Sequence, residues 1–147
     1  MVLASFVASL CITAAGSAQV LVVAEQNLQF GLLTPGVPAA VASTDVARRA
    51  AYTIDGRGRF TLTFQLPAQL SSPEGGTIPL VFGATDGRVE IRHRITIFDP
   101  AAGVNIRINP ADRSASVYLG GRAQPGATAR AGSYTATIVM IVAETGT

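Results

Sequence analysis

The chain has 147 residues, of which 48% are hydrophobic and 14% charged. That length suits one domain with a core of its own, and the composition excludes a charged, disordered tail. The 11 cationic residues are all arginine, set against 9 acids, and the net charge of +2 is spread along the chain. A nucleic-acid-binding surface needs clustered basic charge, so no nucleic-acid partner is expected. One cysteine (Cys11), one histidine (His93) and no tryptophan leave little reactive chemistry. A metal site needs several converging ligands, and a nucleophile needs a base beside it. No enzyme activity, catalytic residue, metal, cofactor or small-molecule substrate is therefore expected.

Residues 1–24 carry no charged side chain. Residues 1–18 have an apolar middle and end in small residues, with Gly16 and Ala18 at the minus-three and minus-one positions of a signal-peptidase cut before Gln19. They read as a secretory signal peptide, which places the protein in the periplasm in transit and then at the cell surface or outside the cell. An uncleaved membrane anchor running to Ala24 is the alternative, since that length can span. Cys11 follows Leu10 rather than a small residue, which argues against lipidation. Cleavage after Ala18 would leave a domain without cysteine, stabilised by packing alone. Residues 19–27 then form an N-terminal strand segment, and residues 28–147 the folded domain.

Period-two alternation recurs along the rest of the chain, with no sustained 3.6-residue period. In residues 59–66, Phe60, Leu62, Phe64 and Leu66 point one way and Arg59, Thr61, Thr63 and Gln65 the other, the pattern of a half-buried strand. Similar strands are expected at 52–54, 78–82, 89–98, 104–108, 115–119 and 134–143. Turn pairs such as Asp55-Gly56, Asp86-Gly87, Asn109-Pro110 and Gly120-Gly121 separate them. Seven or more strands at this spacing predict an all-β, immunoglobulin-like antiparallel sandwich of Greek-key type. Pro79 lacks a backbone donor, which predicts an edge position for its strand. His93 is in phase with Val89, Ile91, Ile95 and Ile97; it reads either as a site histidine or, the favoured reading, as a satisfied or partly exposed residue at a break between two shorter strands. Arg88, Arg92 and Arg94 are expected to share a solvated face with Glu90.

The last strand departs from clean alternation. Tyr134, Ala136, Ile138, Met140 and Val142 form one face, while the other begins with Thr135 and Thr137 and continues Val139, Ile141 and Ala143. A strand apolar on both faces is usually covered on both.

Several motifs together carry a resemblance: Leu28-Gln-Phe-Gly31 followed by Pro35-Gly36; Tyr52-Thr-Ile-Asp-Gly56 with Phe60-Thr-Leu-Thr-Phe-Gln-Leu-Pro67; Val117-Tyr-Leu-Gly-Gly121; and Gly132-Ser-Tyr-Thr-Ala-Thr-Ile138. In this order and spacing the chain resembles a bacterial family of secreted, fimbrial-type immunoglobulin sandwiches. That family is related to spore coat protein U and to pilins of the archaic chaperone-usher pathway, and includes a domain of unknown function. The resemblance implies a sandwich lacking its last strand, completed by a strand from another copy or a related subunit, or in transit by a periplasmic chaperone delivering to an outer-membrane usher. It implies an acceptor strand at Ile138, Val139, Met140, Ile141 and Val142, and a donor carrying Val20, Val22 and Ala24. The function expected is an exported structural subunit of a bacterial fimbria or coat. A self-complemented, adhesin-like binding module is the alternative, with the loops at 69–77 and 124–131 as its candidate surfaces. A carboxylate-based hydrolase is disfavoured because the acids are dispersed and several lie in turns.

Overall fold

The computed structural model describes residues 3–13 and 20–146, which form fourteen strands and no helix. In chain order these are β1 (Leu3–Thr13), β2 (Leu21–Gln26), β3 (Leu28–Leu33), β4 (Ala39–Val41), β5 (Ala50–Asp55), β6 (Gly58–Gln65), β7 (Gln69–Ser71), β8 (Thr77–Val81), β9 (Gly87–Ile91), β10 (Arg94–Phe98), β11 (Val104–Ile108), β12 (Ser114–Leu119), β13 (Gly121–Ala123) and β14 (Gly132–Gly146). They build two sheets facing each other, an all-β sandwich consistent with the immunoglobulin-like class. One sheet runs β11-β6-β14-β7-β8-β13-β4, with β1 along the other edge of β14 and β3 beyond β1. The second runs β10-β9-β12-β5-β2.

The alternation read from the sequence sets which side chains fill the space between the sheets. Phe60 and Leu62 of β6, Tyr52 and Ile54 of β5, Val117 and Leu119 of β12 and Ile138 and Met140 of β14 are all buried. Phe64 is half-buried where its ring stacks on Phe98, 5.8 Å between centroids. Tyr134 buries its ring completely and donates its hydroxyl to the Arg130 carbonyl at 2.6 Å. That bond satisfies the one polar atom of an otherwise apolar side chain and fixes the entry into β14. Tyr134→Phe is expected to cost about 1 kcal/mol, read as a lower urea midpoint with an unchanged slope.

Three local expectations are corrected. Residues 89–98 are a hairpin, not one strand: Arg92 and His93 turn between β9 and β10, with Arg92 in the left-handed region at φ 53°. Ile95 therefore pairs with Glu90 and Ile97 with Arg88, which turns both isoleucines outward. His93 is exposed in that turn, the favoured of its two readings. The same turn divides the expected shared arginine face: Arg88 pairs with Glu90 at 2.6 Å, whereas Arg94 reaches Asp112 at 2.6 Å and Arg92 reaches it at 3.5 Å.

Pro79 does not lie on an edge, because β8 has β7 on one side and β13 on the other. The β13 ladder is only two pairs long, Arg122 with Val81 and Ala123 with Leu80, and Pro79 stands just past its end. There its carbonyl accepts from the Gln124 amide at 2.9 Å, and its missing donor falls where the β13 ladder ends. The supposed loop at 69–77 is the third correction. It is mostly the β7–β8 hairpin, closed by a short turn in which Ser72 Oγ accepts from the Gly76 amide.

Candidate strand-complementation site

The last strand is the longest element, and its two edges are held differently. On one edge its C-terminal half pairs antiparallel with β6, from Val139 with Gln65 to Gly146 with Arg59, while Thr135 meets Ser71 of β7. On the other edge β1 runs parallel to it without a break, from Leu3 with Gly132 to Thr13 with Val142. Beyond β1 lies β3, paired antiparallel from Leu3 with Leu33 to Val7 with Leu28, with an irregularity between Ser5 and Val7. One strand thus fills a slot between β3 and β14.

All five residues expected to be acceptors lie on the wall of that slot. Ile138, Val139, Met140, Ile141 and Val142 pair in turn with Ser9, Leu10, Cys11, Ile12 and Thr13. Ile138, Met140 and Val142 point into the core and are at most 2% exposed. Val139 and Ile141 face the other way and are half-buried, which accounts for the apolar character of both faces. From β1, Val7 enters the same core and is fully buried.

The donor residues are placed elsewhere. Val22 pairs with Ile54 and Ala24 with Tyr52, because β2 forms the edge of the second sheet against β5, and Val20 lies just ahead of β2. Val20 and Val22 pack partly against the core, while Leu21 and Val23 are exposed on the outer face. The strand beside the acceptor is instead Leu3–Thr13, inside the segment read as a signal peptide. The cleavage site expected after Ala18 lies outside the described residues, as does Gln19. Composition could not reveal this placement, since an uncharged apolar run suits a leader and a buried strand equally.

Three aspartates accept from turn backbone. Asp86 Oδ2 accepts from the Gly83 amide at 2.6 Å, Asp99 Oδ1 from Ala101 at 2.9 Å and Asp112 Oδ2 from Asn109 at 3.1 Å. Among the described residues no group of three or more His, Cys, Asp or Glu could hold a metal ion. Among the described residues no helix is long and apolar enough to cross a membrane. Compared with protein-family models and with curated proteins, the chain matches none.

Proposed function

We propose that this protein is an exported structural subunit of a bacterial surface fimbria or coat, assembled by β-strand complementation at the slot between β3 and β14. The observation that carries this reading is the identity of the strand in the slot: it is the leader-like segment Leu3–Thr13. Processing after Ala18 removes that strand. The β14 edge then loses its ladder partners along Gly132 to Val142, and the core loses Val7. Unpaired backbone groups beside apolar pockets are costly to expose, so the processed domain has a strong drive to accept another chain's strand. Resemblance to secreted fimbrial-type sandwiches supports the same conclusion. The donor in this scheme is the segment with Val20, Val22 and Ala24 from a neighbouring copy or related subunit, with a periplasmic chaperone supplying a strand in transit.

A second reading rests on two observations: in the full chain the slot is already filled, and β2 already has a place in its own sheet. A protein secreted with residues 1–18 retained would be a self-complemented module presenting its loops. N-terminal sequencing of the exported protein together with electron microscopy separates the two. The subunit reading expects Gln19 as the first residue, fibrous or sheet-like assemblies, and their loss on deletion of residues 19–26. Stable monomers of the processed chain would overturn it.

A further inference from the structure

We infer that an open depression on the outer face of β6 and β11 binds the sulfate or carboxylate group of an acidic oligosaccharide. This inference does not depend on how the β3–β14 slot is filled. The register sets Arg59 directly opposite Arg107. Like charges in that relation destabilise a sheet, and a sequence normally avoids them or places a counter-charge nearby. Neither arginine makes an ion pair among the described residues. Both are exposed.

The surrounding groups make the depression rich in donors. Thr61 donates its hydroxyl to Asn105 Oδ1 at 2.7 Å, which occupies the acceptor of that amide and leaves its NH2 free to donate. With Ile106 and Thr145 these residues line a depression of about 510 Å³, and none of these described lining residues is a carboxylate. Two acids close to these residues in sequence, Glu144 and Asp55, are placed elsewhere. Glu144 stands opposite Phe60 in the inward-facing row, and Asp55 ends β5 in the other sheet, opposite Ser114. Two guanidinium forks and a free amide call for a ligand rich in acceptors, and guanidinium matches the planar or tetrahedral oxyanion best. The volume exceeds that of a single ion, and Thr61, Asn105 and Thr145 suit a hydroxylated carrier. The lining has no aromatic ring on which a nucleic-acid base could stack, and none of the large exposed apolar side chains that would enter a membrane belongs to it.

The test is calorimetric titration of the full protein with a heparin-derived tetrasaccharide and with oligogalacturonate. A neutral cello-oligosaccharide, inorganic sulfate, phosphatidylglycerol vesicles and an oligothymidylate serve as comparisons. Saturable binding of at least one acidic oligosaccharide is expected, weakening about tenfold between about 20 and about 300 mM salt. Arg59→Gln and Arg107→Gln should each weaken it at least about tenfold, while Arg122→Gln, on β13, should not. Arg107→Glu should abolish binding yet raise the unfolding midpoint at low salt, because Arg59 then faces an opposite charge; this separates ligand loss from unfolding. The inference is overturned if neither acidic oligosaccharide binds or if the two glutamine variants bind normally. It is also overturned if the neutral sugar, free sulfate, vesicles or oligothymidylate bind as tightly.

Discussion

Removing residues 1–18 is expected to destabilise the sandwich by an amount comparable with its whole folding free energy. The deletion strips one edge of β14 and one edge of β3 of their ladder partners and empties the core position of Val7. Burial of a valine contributes about 2 kcal/mol, and each buried backbone bond left unmade costs about 1 kcal/mol or more. With several such bonds along the slot, the total reaches about 5 kcal/mol or more, within the usual stability of a domain this size. Urea unfolding of the processed chain should give a much lower midpoint than the full chain, or show no folded monomer. Hydrogen exchange should accelerate most along β14 and β3. A synthetic peptide of residues 3–13 added in excess should restore protection by mass action, to a degree set by its concentration. Equal midpoints for the two chains would show that β1 contributes nothing to the fold and would remove the physical basis for strand complementation.

This expectation also shows how far the sequence could be read. Strands with one polar and one apolar face were legible: the alternation of Phe60, Leu62 and the half-buried Phe64, and of Tyr134, Ile138 and Met140, correctly assigned the inward rows. The strand holding the five expected acceptor residues stood out because both of its faces are apolar. What that pattern does not contain is the neighbour, since period-two alternation gives a strand's faces and says nothing about its edges. Val20, Val22 and Ala24, the residues expected to act as a donor, alternate as a strand should, yet nothing in their spacing chooses β5 over β14. The β9–β10 hairpin was legible only as a break at His93, for a related reason. Its two-residue turn, Arg92-His93, lacks the Asn-Gly or Asp-Gly signature. Apolar residues continue at every second position through the turn, although the turn sends Ile95 and Ile97 to the opposite face. The Arg59–Arg107 pair was invisible as well, because the two residues lie in strands far apart in the chain and only register makes them neighbours.

Gly120 illustrates the same limit, and its substitution is the second change expected to have a large effect. Gly120-Gly121 reads in sequence as a hairpin or bulge, but the chain leaves the second sheet at Leu119 and enters the first at Gly121, so Gly120 is the step between layers. At that step the backbone passes directly against the loop after β4, and the Gly120 amide donates to the Asp86 carbonyl at 2.9 Å. A β-carbon built at Gly120 would overlap the Val41 carbonyl oxygen and lie 2.8 Å from the Ser43 nitrogen and 3.0 Å from the Ala42 carbonyl carbon. All three are backbone atoms, which cannot rotate away as a side chain can. Relief requires separating β13 from β4, whose pairing begins at Gly121 with Val41. Gly120→Ala is therefore expected to cost more than the usual overpacking penalty of about 1–3 kcal/mol, leaving little folded protein at ambient temperature. Gly126→Ala is the matched control: its β-carbon meets nothing within 4 Å, and a change within about 0.5 kcal/mol is expected. Thermal unfolding of the two variants in parallel checks the contrast. A Gly120→Ala midpoint within a few degrees of the parent would mean that the crossing between sheets is looser than these contacts require.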